Sequence, residues 1–229
     1  MKLTDWEKQW RGAGVVAFVL VIVAFVFYGS QPKLDASAAE LVSFFQGDRT
    51  RILIATVIFL FSFLELLWFG AALSTVLRDA GKGGWAAAAT ASSAAMGAIL
   101  FVRMTVRAAL AFSIAGTAAP GVTTAFSDLG FVLTVVLSFP AAMFVMSGAF
   151  GLWRAQIISS RFFTVGVVAV VLALLGGTTW ASSGFWAPDG AYSSFSQLVL
   201  FAWTAVISGV LVRRYSRASA PAAVAIPAA

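Results

Sequence analysis

The chain has 229 residues, of which 61% are hydrophobic and 10% charged, with a net charge of +6 and a mean hydropathy of +0.95. Because a soluble domain carries roughly 25% charged residues, this composition excludes an ordinary soluble domain and predicts an integral membrane protein. The sequence contains no Cys and no His, which excludes disulfides, Cys- or His-ligated metal sites and Ser–His or Cys–His nucleophilic pairs. We therefore expect no metal and no cofactor.

Six apolar runs follow one another along the chain. A helix needs about 20 apolar residues to cross the hydrocarbon core of a bilayer, so we predict an all-α bundle of six transmembrane helices in a single domain, 1–229. The predicted spans are 12–28, 52–77, 85–115, 128–153, 162–181 and 195–212, followed by a flexible tail at 213–229.

The loop between the first two spans contains a helix start. Ser37 and Glu40 are spaced as in a capping box, in which each side chain satisfies a free backbone N–H. Leu41, Phe44 and Phe45 follow on one face. The pattern predicts a short helix lying on the membrane surface, with a loop helix that packs on the end of the bundle as the alternative.

Small residues recur every four positions in the third span. Ala86, Thr90, Ala94 and Ala98 form one stripe, and Ala89, Ser93 and Gly97 form the next. Small residues at this spacing let helix backbones approach closely, so we expect the third span to lie at the centre of the bundle.

Lys and Arg residues are distributed unequally between the two sides of the predicted bundle. With six spans both termini share a side, and ten of the 15 Lys and Arg residues fall there. These ten are Lys2, Lys8, Arg11, Arg78, Lys82, Arg154, Arg161, Arg213, Arg214 and Arg217. Because loops rich in Lys and Arg stay in the cytoplasm, both termini are predicted to be cytoplasmic, with the protein in the cell membrane.

Glu65 is the only charged residue inside the second span. It and Pro140 each lie roughly 20 Å from the predicted cytoplasmic ends of their helices. Pro140 is predicted to break the fourth span and to free the carbonyl four residues earlier, that of Val136, where a protonated Glu65 or a bridging cation would bind. The functional interpretation is a proton or ligand site at mid-membrane, with Trp68 lining a lipophilic pocket. The structural alternative is a buried neutral acid bonded to Ser62, with Trp68 as a packing residue.

Two arginines interrupt the third span one helical turn apart. Arg103 and Arg107 lie roughly 27 and 33 Å along the helix from Trp85, near the outer edge of the hydrocarbon core. They would snorkel to the outer interface, with Arg107 paired to Asp128. Alternatively, the three residues form an outward-facing site for an anion or a lipid headgroup, because two guanidiniums on one face suit phosphate or carboxylate.

These features lead to three functional hypotheses. The first is a non-catalytic membrane protein, such as a transporter, that binds or moves a small or lipophilic molecule through its bundle, with Glu65 as the proton or ligand site. The second is an accessory or assembly subunit of a larger membrane complex. The third is a membrane-embedded enzyme acting on lipid, which would depend on Glu65, Asp128 or Asp189 for acid–base chemistry.

The expected partners follow from the same composition. They are the lipid bilayer, other membrane subunits or a second copy of the chain, and a lipid or small lipophilic ligand. No nucleic acid partner is expected, because the basic residues flank apolar runs and form no soluble basic face. The bias towards Ala, Val and Arg is typical of a protein from a high-GC bacterium.

Overall fold

The computed structural model describes residues 5–218, which form seven helices and no strand. They are α1 (Asp5–Tyr28), α2 (Ala38–Gly47), α3 (Arg49–Asp79), α4 (Gly83–Ala109), α5 (Pro120–Arg154), α6 (Ser160–Gly176) and α7 (Ala191–Ala218). A π-helical turn, Leu110–Ile114, and one short further turn, Ala115–Thr117, extend α4. Five helices, α1, α3, α4, α5 and α7, are long and apolar enough to cross a membrane. The predicted all-α, multi-pass membrane class is confirmed at this level, and α6 is a shorter apolar helix.

All the helices except α2 pack side by side in a ring that follows the chain. Each contacts the next in order, and α7 closes the ring against α1. At this closure the Arg11 guanidinium lies 4.0 Å from the centre of the Tyr215 ring. The beginning of α1 and the last turns of α7 therefore share one end of the bundle, which we call the termini end. The opposite end, where α1 leads towards α2, is the loop end.

Aromatic side chains fill the ring towards the termini end. The Phe69 ring lies 6.2 Å from that of Phe144, which lies 6.1 Å from that of Trp203. These three buried residues connect α3, α5 and α7 across the interior. A Cβ added at Gly148 would overlap the Trp203 ring, so this packing requires a residue without a side chain there.

The fourth predicted span differs most from the observed helix. Helix α5 begins at Pro120, within the residues predicted to be a loop, rather than at Asp128. It continues through Pro140 without interruption, so the predicted break is wrong. Proline fits the first turn of a helix because its missing N–H has no partner there, which explains the earlier start.

The last two helices also have different bounds from the prediction. Helix α6 ends at Gly176, and irregular backbone occupies the predicted remainder to residue 181. Helix α7 continues to Ala218, so the predicted flexible tail begins inside a helix. The rest of that tail, 219–229, lies outside the described residues.

Helix α4 does not lie at the centre of the bundle, which corrects the prediction from its small residues. It is one member of the ring, between α3 and α5. Ala86 is buried, whereas Thr90, Ala94 and Ala98 from the same predicted stripe are exposed. The second predicted stripe, Ala89, Ser93 and Gly97, is buried, and α4 approaches α3 closely at Gly97, where an added Cβ would lie 2.7 Å from Leu67.

The capping box at the start of α2 is confirmed. The Glu40 N–H donates to Ser37 Oγ at 3.2 Å, and the Ser37 N–H donates to Glu40 Oε2 at 2.7 Å. These hydrogen bonds from Ser37 hold the pKa of the Glu40 carboxyl below its ordinary value. Leu41 and Phe45 are buried, so α2 packs on the loop end of the bundle, as the alternative interpretation expected.

Candidate functional site

A cavity of about 270 Å³ opens inside the loop end of the ring. Side chains from four helices and two loops line it, and we call it the arginine chamber. Its polar lining includes Arg103 and Arg107 of α4, Tyr28 of α1, Thr134 of α5, Gln197 of α7, and Lys33 and Asp189 from the loops.

Arg103 is held in the chamber by a neutral partner. Its side chain is 7% exposed, and Nη1 donates a hydrogen bond to Gln197 Oε1 at 2.9 Å. The Gln197 amide is oriented in turn, since its Nε2 donates to the Ser193 carbonyl at 3.3 Å. The Nε of Arg103 is buried and has no hydrogen-bond partner among the described residues.

Arg107 lies one helical turn further along α4 and is 5% exposed. Its guanidinium lies 4.9 Å from the centre of the Tyr28 ring, within the distance at which a cation is attracted to an aromatic face. The Tyr28 hydroxyl is buried and has no partner within residues 5–218. The chamber therefore contains polar atoms whose hydrogen-bonding capacity the described chain leaves unused.

Neither arginine behaves as the snorkelling interpretation predicted. Both side chains are buried, and neither forms a salt bridge with any residue that the structure describes. The predicted Arg107–Asp128 pair is wrong: Asp128 does not line the chamber, and it makes no ion pair in the described chain. Helical turns continue after Arg107 as far as Thr117. The two arginines therefore lie inside the bundle rather than at its rim.

Two loops form the roof of the arginine chamber. The Asp189 carboxylate, in the loop before α7, accepts a hydrogen bond from the Leu34 N–H in the loop after α1 at 2.9 Å. A second cavity of about 420 Å³ shares Lys33 and Asp189 with the chamber and is bordered by exposed residues such as Ser182 and Gly184. A molecule that enters the arginine chamber through this second cavity therefore passes Lys33 and Asp189.

Glu65 lies in a different place, on the outside of the bundle. It lines a groove of about 250 Å³ between α1 and α3, together with Trp68, Trp10, Gln9 and Ala13. Its carboxyl is partly exposed and forms no hydrogen bond or ion pair with the described residues. The structure thus brings together two of the predicted site residues, Glu65 and Trp68, in one groove.

The other proposed partners of Glu65 lie elsewhere. The Ser62 hydroxyl donates to the Ala17 carbonyl at 2.7 Å, so it is not the partner of the acid. Pro140 and Val136 belong to α5, which is not a ring neighbour of α3. Val136 is 39% exposed. The prediction of one site formed by Glu65 and Pro140 is therefore wrong. Equal distance along two helices does not make their side chains face each other.

Several residues that line the chamber were not predicted from the sequence to belong to a site. Tyr28 resembled an interfacial anchor, and Gln197 is one of many polar residues near a helix start. The available signal was a pair of arginines on one helix face, whose neutral partners come from distant parts of the chain.

Within residues 5–218, no three acidic residues lie close enough together to hold a metal ion. Comparison of the chain with protein-family models, with curated proteins and with solved structures gives no match.

Proposed function

We propose that this chain is a non-catalytic integral membrane protein that binds a small anionic group in the arginine chamber. The group is a phosphate or a carboxylate, either free or carried by a lipid. The observation that supports this function is the burial of Arg103 and Arg107 side by side with no carboxylate partner in the described chain. The ligand-binding hypothesis is retained, and its site moves from Glu65 to the two arginines.

The physical reason is the energy of buried charge. Arginine stays protonated in proteins, and removing one ion from water costs several kcal/mol unless an opposite charge compensates it. Here Arg103 has a neutral amide and Arg107 has an aromatic face. An anion would accept hydrogen bonds from both guanidiniums and offset this cost, since planar guanidiniums suit phosphate and carboxylate oxygens.

We further propose six spans with both termini in the cytoplasm. Arg11 and Tyr215 lie together at the termini end, which supports an even number of crossings. Helix α6 has 17 residues, or about 25 Å at 1.5 Å per residue, close to the hydrocarbon thickness of about 30 Å. With this orientation the arginine chamber opens to the outside of the cell.

The absence of catalysis is supported by the positions of the acids. Asp189 is held by the Leu34 N–H, Asp128 does not line the chamber, and Glu65 lies in the outer groove. General acid–base chemistry needs such groups close to the same reacting atoms. Buried aromatic residues such as Phe144 and Trp203 fill the interior below, which supports binding over passage in this conformation.

The test is anion-dependent stabilisation of the purified protein, followed by tryptophan fluorescence during thermal unfolding. Inorganic phosphate and phosphatidic acid are the probes, and they separate a free anion from a lipid headgroup. A ligand at about 100 times its Kd stabilises the folded state by about 2.7 kcal/mol. The double variant Arg103→Gln/Arg107→Gln should lose this stabilisation, whereas Arg49→Gln, at the exposed start of α3, should keep it. A double variant that responds like the unmodified protein would refute the proposal.

A second candidate function is that of an accessory subunit in a membrane complex. It is favoured by the exposed face of α4, where Ala87, Ala91, Ala94 and Ala98 point out of the ring. Small residues at this spacing allow close contact with another helix. Ala94→Leu should then release a co-purifying chain, or a second copy, in mild detergent. A protein that is monodisperse and alone before and after the substitution would exclude this function.

A further inference from the structure

The groove around Glu65 has its own chemistry, independent of the arginine chamber. Trp10 and Trp68 form two of its walls, with ring centres 6.0 Å apart and planes inclined at 70°. Glu65 lies in the same groove, which has a volume of about 250 Å³. A carboxylate beside an indole attracts a cation through its charge, and an exposed indole face adds the attraction of its quadrupole.

The described chain supplies no cation to this carboxylate. Glu65 forms no ion pair within residues 5–218. Arg11, the arginine on the same stretch of α1, is buried and faces Tyr215 at the contact with α7. The Nε1 of Trp10 is also buried without an acceptor among the described residues. The groove thus contains both a carboxylate without a cation and an indole donor without an acceptor.

The surroundings of the groove indicate where its ligand comes from. Phe61, Leu64 and Trp68, on the same part of α3, are 59%, 43% and 44% exposed. In a membrane protein such an apolar exterior is covered by lipid. Trp10 and Gln9 stand in the first turns of α1, near the termini end, and tryptophans are enriched at the level of lipid headgroups. Because Trp68 contacts Trp10, we place Glu65 near this level rather than at the mid-membrane depth predicted from the sequence.

We propose that the Trp10–Glu65–Trp68 groove binds the ammonium headgroup of a membrane lipid. The carboxylate of Glu65 forms the charge-assisted contact with the ammonium, and the two indoles border it on one side. A primary ammonium, as in phosphatidylethanolamine, also fits the Gln9 side chain, whose amide lies at the exposed rim. This site lies on the outside of the ring and does not depend on the anion site.

Native mass spectrometry of the full chain tests the proposal, with phosphatidylethanolamine and phosphatidylglycerol of identical acyl chains as the probes. The unmodified protein should retain phosphatidylethanolamine, and Glu65→Gln should weaken that binding at least tenfold while phosphatidylglycerol binding stays the same. Trp68→Ala should weaken it similarly, with Trp68→Phe as the milder variant if the first does not fold. As a control, Asp128→Asn removes another carboxyl that has no partner in the described chain, and it should leave phosphatidylethanolamine binding unchanged.

Two results would overturn the inference. One is a Glu65→Gln variant that circular dichroism shows to be folded and that binds phosphatidylethanolamine as well as the unmodified protein does. The other is binding of free ethanolamine with no retention of the lipid, which would make the ligand a soluble cation. Because Glu65→Gln leaves Arg103 and Arg107 intact, phosphate-dependent stabilisation should persist in it. Failure of this site and failure of the anion site are therefore distinguishable.

Discussion

The arginine chamber and the Glu65 groove place charged residues from neighbouring helices in opposite surroundings. In the chamber, Arg103 and Arg107 point into the ring and are 7% and 5% exposed. In the groove, Glu65 is partly exposed on the outside, between α1 and α3. The two arginines are thus enclosed by protein, whereas the acid lies on the outer surface of the bundle.

This difference shows that Glu65 and the two buried arginines do not neutralise one another. Helices α3 and α4 pack together, yet Glu65 and the two arginines lie on faces that point apart. Each site is left with unbalanced charge, and each is suited to a ligand of the opposite sign. The following predictions test this contrast, from the largest expected effect to the smallest.

Gln197→Glu should give the largest effect, because it places a carboxylate where Oε1 accepts from Arg103 at 2.9 Å. A buried ion costs several kcal/mol unless an opposite charge compensates it, so the free energy of unfolding without ligand should rise by up to a few kcal/mol. Stabilisation by phosphate should shrink, because one guanidinium is already compensated. Thermal unfolding in detergent measures both quantities. The matched control, Gln9→Glu, adds the same charge beside Glu65 and should not stabilise the protein.

Asp189→Ala removes the acceptor of the Leu34 N–H in the roof of the chamber. Loss of a partner costs about 1–3 kcal/mol for a fully buried donor. This hydrogen bond is partly buried, so the cost should lie at the lower end of that range and appear as local opening of the roof. Hydrogen–deuterium exchange should become faster around residues 29–37. Asp189→Asn retains an acceptor oxygen and should exchange more slowly than the alanine variant. Equal exchange in Asp189→Ala and the unmodified chain would contradict the role of this contact.

Ser37→Ala should destabilise α2 by about 1 kcal/mol, as expected for loss of an N-cap, and should bring the pKa of Glu40 back towards its ordinary value. Since folding lowers that pKa, the carboxylate stabilises α2 fully above the unfolded-state value, and this contribution is lost as pH falls through the folded-state value. NMR titration of Glu40 in the two proteins measures the change. A titration curve that Ser37→Ala leaves unmoved would count against the capping box.

Glu65→Gln should have the smallest effect on stability, within about 0.5 kcal/mol, as for a surface substitution without a lost partner. The carboxyl forms no hydrogen bond in the described chain, so its removal breaks no contact. Thermal unfolding in a detergent without aminolipid is the measurement. A loss above about 1 kcal/mol would mean that Glu65 has an internal partner, and the contrast between the two sites would be incorrect.

Much of the fold was predictable because helices in a bilayer must satisfy their own backbone. Long apolar runs therefore predicted α1, α3, α4, α5 and α7, and the Ser37–Glu40 spacing predicted the start of α2. The start of α5 at Pro120 was missed, because a small polar segment outside the apolar run gives no hydropathy signal. The extension of α7 to Ala218 was missed for the same reason.

The candidate sites were predictable only as residue types. An acid and two arginines inside apolar runs stand out in any such sequence, and all three were identified. Their partners were not, since Tyr28 and Gln197 reach Arg107 and Arg103 only when α1 and α7 close the ring on α4.

The sequence by itself determined the membrane class and most of the helices, because hydropathy and local capping act within one segment. Only the tertiary structure decided which way each charged side chain faces. That direction depends on the rotation of each helix against its ring neighbours, which is fixed by contacts such as Gly97 against Leu67 and Ser62 against Ala17. These contacts join residues far apart in the chain, so no local pattern contains them.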